Sequence, residues 1–388
     1  MKKGKIAKTL LALALSASCV LASGCDFLTG RGVLSKIGDP SETYVGVVSE
    51  TKYSSSESAA EGYVKEELGG YSNNYHIVNS VSKGSLSPSE IDGLNLPDEV
   101  RMGAQAVEEF EVEYSTSKNS YTASNASSTK TVRVYVIKYV DAWKYYSPLP
   151  LKGDTITKSY YDSVFDAQQF KNCTFESTST VEMDLTASYQ GETESVKMDI
   201  TTEQLAKYAN NKIYLEQTIK GVYNQGNSKT EYNQTLYAYM EESNGTMVCY
   251  VKMDNDSEWI KGDLTTIGFS SIDELTPFAN QYLDHSYFTK TDNGFEISEE
   301  NADAYVAATM DMLSDVLSVA YLDSMDIDMD AQFYVVNGIL SGMTSKGTLK
   351  MNINESYGGY TMSIKADASF SGESTCVDYG TTIVEKPF

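Results

Sequence analysis

Val181-Glu182-Met183-Asp184-Leu185-Thr186-Ala187-Ser188-Tyr189 alternates apolar and polar side chains without a break. Successive side chains of an extended chain point to opposite faces, so Val181, Met183, Leu185, Ala187 and Tyr189 share one face and the polar residues share the other. That is the signature of a half-buried antiparallel strand. A parallel strand, covered on both faces, reads as a continuous apolar run. The pattern recurs downstream. Gly191 marks a turn, and Val196, Met198 and Ile200 resume the alternation. Ile213, Leu215 and Ile219 follow, then Leu236, Ala238 and Met240, then Met247, Cys249, Val251 and Met253. Near the C-terminus Met325, Ile327, Met329, Ala331, Phe333 and Val335 alternate with polar residues, and Tyr360 to Phe370 forms the last clear strand. Asn337-Gly338 is the strongest hairpin signal, because both residues tolerate the positive φ that a tight two-residue turn requires.

Two helices interrupt this meander. Ser271-Ile272-Asp273-Glu274 caps a segment kinked at Pro277. Ser298 opens a longer helix with Ala302, Tyr305, Val306, Thr309, Leu313, Val316 and Ala320 on one face, and Met312 beside Leu313. Strands apolar on one side need a cover, and these helices can supply it.

Upstream of residue 151 the chain has a different character. Tyr44–Tyr53 is strand-like. Ser58-Ala59-Ala60-Glu61 reads as a capping box opening a helix with Ala60, Tyr63, Val64 and Leu68 in one stripe. Ser87-Pro88-Ser89-Glu90 is a second box, stopped by Gly93. Phe110–Tyr114 and Thr131–Val140 read as strands around a Ser/Thr/Asn-rich hairpin loop at 115–129. Pro148 and Pro150 break the pattern, and Tyr161, Val164, Phe165 and Gln168 have helical spacing. The expected class is therefore α+β, mainly antiparallel β. The expected organisation is a small α+β domain over 44–150, a connector over 151–172 and a β-rich domain over 173–388.

The first 43 residues speak to location. Lys2, Lys3, Lys5 and Lys8 precede an apolar run at Leu10–Leu15 and Val20-Leu21, then the small residues Ala22-Ser23-Gly24. Ser16, Ser18 and Cys19 interrupt the run, which falls short of the ~20 apolar residues a membrane span needs. Leu21-Ala22-Ser23-Gly24-Cys25 resembles the bacterial lipobox, with Ala22 where a larger aliphatic residue is commoner. The alternatives are an uncleaved anchor or an ordinary signal peptide with an incidental Cys25. The resemblance implies a signal peptide over 1–24, lipidation of Cys25, and a tether over 25–43. It implies a protein held by acyl chains on the extracytoplasmic face of a bacterial membrane.

Loss of the segment removes four lysines and no acids, which takes the formal charge from −24 to −28. Such a charge excludes nucleic acid and an anionic lipid surface as electrostatic partners. The 29 tyrosines against two tryptophans suit half-buried strands, since the ring packs while the hydroxyl stays wet. After Cys25, only Cys173, Cys249 and Cys376 remain. That odd count permits one disulfide with a leftover thiol, or three buried thiols; buried small hydrophobes are the expectation, and the sequence names no pair.

No reaction is written in the chain. His76 and His285 stand far apart, which disfavours a Ser-His-Asp relay or a histidine zinc site. Neither a phosphate-binding glycine loop nor a nucleophile elbow occurs. Asp326, Asp328 and Asp330 have the spacing that opens a calcium loop, but Ala331 replaces its glycine and Asn337 its bidentate glutamate. Asp254, Asp256 and Glu258 form a weak cation candidate in a hairpin loop. A non-enzyme without cofactor or metal is expected, although a catalytic carboxylate pair would leave no motif among 54 acids.

An early helix on a curved antiparallel sheet resembles the cystatin/NTF2-like superfold over residues 44–150, a likeness of topology that implies no activity. The long meander with amphipathic helices on its inner face resembles the lipoprotein-carrier half-barrels, the LolA and LppX/LprG-like proteins, over about residues 175–388. That resemblance implies a half-barrel with helices on its concave face and a lipid or other hydrophobic ligand between them. Twelve of the 14 methionines lie from Met183 onward, and methionine adapts to ligands of irregular shape. The candidate ligand-binding residues are Met183, Met198, Met329, Met351 and Met362, covered by Tyr305, Met312 and Leu313. The rival expectation is an envelope adaptor with a closed core that recognises a protein or glycan through its surface.

Overall fold

A computed structural model describes residues 44, 46–69, 73–94, 96–118, 128–166, 168–189, 192–209, 211–226, 228–243, 246–263, 285–297, 302, 322–357 and 360–388. The expected signal segment, Cys25, the expected tether, Gly191 and the helices expected at 271–277 and from Ser298, Ala302 excepted, lie outside the described residues. Tyr305, Met312 and Leu313 are among them. The fold is mainly antiparallel β, in two sheets.

The first sheet has five strands in the order β1-β5-β4-β3-β2. These are β1 (Val47–Val48), β2 (Asn73–Ser85), β3 (Ala106–Lys118), β4 (Ser128–Lys138) and β5 (Trp143–Ser147). Alternation sends Phe110, Val112 and Tyr114 of β3 and Val134 and Val136 of β4 to one buried face. Helix α1 (Ser56–Tyr63) runs on as a π-helical turn, Val64–Leu68, and packs Ala59, Ala60, Tyr63, Val64 and Leu68 against that face. The cap of α1 corrects the sequence reading. Ser55, not Ser58, is the N-cap; its extended backbone lets Oγ accept from Ser58 N at 3.1 Å. The second box forms as expected, at α2 (Pro88–Gly93). A further helix, α3 (Asp98–Gly103), follows. Leu96, Val107, Ile137 and Tyr146 make a smaller core on the sheet's other face.

The second sheet has eleven strands in the order β11-β10-β9-β8-β7-β6-β16-β15-β14-β13-β12, antiparallel throughout. Six come first: β6 (Cys173–Tyr189), β7 (Glu192–Ala209), β8 (Lys212–Gln225), β9 (Ser228–Ser243), β10 (Thr246–Met253) and β11 (Ile260–Asp263). Then come β12 (Phe288–Thr291), β13 (Gly294–Ile297), β14 (Leu322–Val336), β15 (Ile339–Tyr357) and β16 (Tyr360–Val377). Every neighbouring pair is consecutive in the chain except β6 with β16, which joins the first strand to the last. Asn337 and Gly338 turn β14 into β15 with φ of 55° and 76°, the positive pair the sequence called for.

Helix α4 (Lys158–Val164) and a 3-10 turn (Gln169–Lys171) belong to the core of this second sheet. Ile156, Tyr160, Tyr161, Val164 and Phe170 are buried there with Phe288, Phe295 and Phe333. Phe295 and Phe333 stack at 4.9 Å between ring centroids, and Phe288 meets Phe333 edge-on at 5.1 Å. The segment expected as a connector is thus packed structure. Beyond β16 the chain turns at Asp378 and folds back, placing Lys386 4.5 Å over the Tyr250 ring and 2.8 Å from Glu241.

Candidate functional site

The inner face of the second sheet is built in rows by its register. Ile327, Leu349, Ala368, Met183, Met198 and Tyr223 are successive cross-strand partners from β14 to β8. One row to one side run Met329, Gly347, Phe370, Val181, Ile200 and Gly221; one row to the other run Met325, Met351, Ala366, Leu185 and Val196. Four of the five candidate methionines, Met183, Met198, Met329 and Met351, therefore fall in three adjacent rows, each step ~7 Å along the strands. Met362 pairs with Tyr189, two rows beyond Met351.

Two glycines in the Met329 row let aromatic rings lie across the sheet. A Cβ on Gly347 would stand 2.6 Å from Phe370 Cζ, and one on Gly221 2.5 Å from Tyr232 Cζ. Bare backbone at these two places gives the rings a flat bed, so the inner surface is continuous.

This face is closely packed. Met183, Met198 and Met329 are 3%, 2% and 5% exposed, and Met351 is half-buried against the same core. Ala302 packs on it too, the one described residue of the expected covering helix. The opposite face is wet and charged. A cleft of about 450 Å³ opens there. Its accessible wall is supplied by exposed Glu182, Asp184, Asp199 and Asp367, with Lys197 and Lys350 between them. Lys197 pairs with Asp184 at 2.7 Å and Lys346 with Asp330 at 3.2 Å. Pairs this exposed are worth ~0–1 kcal/mol each. Asp326, Asp328 and Asp330 alternate outward opposite Lys350, Thr348 and Lys346, so their spacing is strand alternation. Among the described residues no three acids, histidines or cysteines gather as a metal site.

A second constellation lies where the two sheets meet. Glu67, on the π-helical turn, is 5% exposed. Its carboxylate accepts from Ser159 Oγ at 2.8 Å, Ser159 N at 2.9 Å, Tyr145 Oη at 3.1 Å and Ser147 Oγ at 3.3 Å. Its backbone carbonyl accepts from Nε2 of buried His285 at 2.8 Å. Three donors and a share of the Tyr145 hydroxyl, which also donates to Glu66 at 2.8 Å, hold the carboxylate, so Glu67 clamps α1 to α4. His285 is the structural histidine of this clamp, while His76 lies exposed on β2. Sequence reasoning missed Glu67, although a signal existed. It follows Tyr63 by four residues and Val64 by three, in the apolar stripe of the helix.

Tyrosines surround this clamp. Burial raises the phenol pKa of Tyr44 and of Tyr63, and burial with the negative charge of Glu67 raises that of Tyr145. In the unfolded chain they ionise near ~10. Between that pH and their higher folded values the unfolded state binds fewer protons, so stability falls as pH rises. Below ~10 their contribution is fully present. Thermal unfolding followed by circular dichroism should show a midpoint that drops steeply above pH ~10, each such tyrosine contributing ~1.4 kcal/mol per pH unit. A midpoint unchanged to pH ~11 would contradict the burial of these phenols.

No family model and no curated protein matches the chain. Among solved structures, the crystal structure of Pseudomonas aeruginosa OccK5 (OpdH) aligns with a TM-score of 0.12 at 8% identity, over 79% of this chain and 95% of that one. A likeness that low carries no argument about fold or function.

Proposed function

We propose that the chain is a lipoprotein anchored through acylated Cys25 on the extracytoplasmic face of a bacterial membrane, and that its larger sheet binds a hydrophobic or lipid-like ligand without catalysing a reaction. In this reading the sheet curves as a half-barrel, helices lie over its concave face, and the ligand sits between them as in the LolA and LppX/LprG-like carriers. The domains in this reading are 44–150 and 173–388, and 151–172 belongs with the second, since Ile156, Tyr160 and Phe170 pack in the core of the larger sheet. The observation that carries the proposal is the clustering of Met183, Met198, Met329 and Met351 in three adjacent rows of one broad apolar face. Unbranched thioethers re-pack around an irregular guest more readily than β-branched residues do.

The rival, an envelope adaptor, draws on a specific observation as well: the near-complete burial of Met183, Met198 and Met329 suits a closed core. Its partner would then be met by the acidic outer face.

Ala302 separates the two. A carrier must hold a void under the covering helix, and Ala302→Trp should fill it. Uptake of a fluorescent fatty-acid analogue is expected to disappear while thermal stability stays within ~1 kcal/mol of the parent. In a core at native density the same substitution overpacks and costs ~1–3 kcal/mol. That loss, with no uptake by the unsubstituted protein, would reject the carrier in favour of the adaptor.

A further inference from the structure

We infer that Cys173 and Cys376 are joined by a disulfide in the exported protein, bridging the first and last strands of the larger sheet and leaving Cys249 as the single thiol. The oxidising compartment rests on the export reading proposed above; the pairing rests on geometry. β6 begins at Cys173, and β16 runs against it so that Cys376 faces Phe175 and Val377 faces Thr174. Cys173 and Phe175, two residues apart, share a face, which makes Cys173 and Cys376 diagonal neighbours on that face, ~7–8 Å apart at Cα, a gap that closure of the bridge shortens by a small shift of the strand ends. Cys173 Sγ donates to Phe170 O at 3.4 Å, Cys376 lies close enough to act on the Cys173 thiol, and both residues are buried. Cys249 lies on β10, four strands from β6. At ~4.8 Å per strand that is ~19 Å, well beyond the ~7 Å Cα separation a disulfide spans.

The backbone around the pair is already fastened. Gly380 N donates to Asn172 O at 2.8 Å, and Thr382 N to Asn172 Oδ1 at 2.8 Å. The hydroxyls of Thr174 and Thr382 share a hydrogen bond of 3.0 Å. These contacts hold the two strand ends together before any covalent bond exists. The bridge would lock the one seam in the sheet whose strands are distant in sequence.

The Cys376 contact and burial raise the pKa of the Cys173 thiol, so Cys173 is a poor nucleophile in the folded chain and exchange belongs to the stage when the strand ends are still open. The oxidant is a disulfide donor, either glutathione disulfide or an exported thiol–disulfide oxidoreductase. The Cys376 thiolate attacks one donor sulfur, forming a mixed disulfide and expelling one donor thiolate. The Cys173 thiolate then attacks the Cys376 sulfur, forming the bridge and expelling the second donor thiolate. The two protons of the protein thiols end on the two donor thiols, and the donor is reduced by two electrons.

The test uses the full-length exported protein, denatured in guanidinium with N-ethylmaleimide and no reductant, then digested for mass spectrometry. The expected result is alkylation at Cys249 alone, with the Cys173 and Cys376 peptides linked and lighter by two hydrogens until reduced. Cys249→Ser should keep the link, and Cys173→Ser should leave Cys376 alkylated. Three alkylated cysteines in an acylated, exported chain, unchanged by refolding with glutathione disulfide, would overturn the bridge and leave the export reading intact. A chain that takes up no acyl probe at Cys25 and stays in the cytoplasm overturns the export reading and removes the premise of the bridge.

Discussion

A fragment beginning at Leu151 is expected to unfold in one cooperative thermal transition, and a fragment beginning at Lys171 is expected to be molten and to aggregate. The difference is twenty residues that look like a linker and are packed as core. Residues 153–156 run beside β12, with Ile156 N donating to Phe288 O at 3.0 Å and Lys290 N to Asp154 O at 2.8 Å. Tyr160 and Phe165 then set their rings against Phe295, at 6.3 and 5.9 Å between centroids. Removing the segment strips Ile156, Tyr160, Tyr161, Val164 and Phe170 from one core. Truncating a single large buried side chain costs ~2–5 kcal/mol, and a domain's whole stability is ~5–15 kcal/mol. The shorter fragment therefore lacks the means to fold. Equal, cooperative melting of both fragments would show the segment to be a passive joint and move the boundary to Lys171.

Glu67→Ala is expected to lower stability by about 3 kcal/mol in urea unfolding and to split a single transition into two. The substitution strands the hydroxyls of Ser147 and Ser159 and the amide of Ser159, each donating to Glu67, while Tyr145 keeps its 2.8 Å bond to Glu66. A buried polar group left without a partner costs ~1–3 kcal/mol, and entry of water into the gap offsets part of the sum. The split follows from position, because Glu67 joins the helix of the first sheet to α4 on the second. Glu67→Gln keeps the shape and two acceptor lone pairs but turns two donors toward donors, so an intermediate loss is expected. A change below ~0.5 kcal/mol for the alanine variant would mean that the clamp is not what couples the sheets.

Much of the second sheet was legible because strand alternation is a local property. Val181–Tyr189, the two residues of the Asn337-Gly338 turn and the pairing of consecutive strands all follow from neighbours in sequence. The β6–β16 seam was not, since nothing in either strand states which distant strand it will meet. In the first sheet β2 escaped notice: Asn73–Ser85 has exposed Val78 and Val81 and no clean alternation, and it bears register shifts near Val78 and Lys83. Tyr44–Tyr53 shrank to the two-residue β1 and a bridge from Tyr53 to Trp143, and between them Ser49 meets β5 through a single backbone bond to Tyr145 O and a side-chain bond from Tyr145 N, too little to continue the ladder. The methionine rows could be anticipated as one face, yet their mutual registry needed the pairing. Glu67 stood in plain view on an apolar stripe, but its donors come from residues ~80 to 90 positions away, and no local pattern brings them together.

The central claim, that the larger sheet holds a hydrophobic ligand on its methionine rows, is tested most directly by mass spectrometry of organic extracts from the purified Cys25→Ala protein. The account predicts a lipid or other apolar molecule released in near-stoichiometric amount, and less of it from Ala302→Trp. Extracts indistinguishable from those of an unrelated protein prepared in the same way would contradict it.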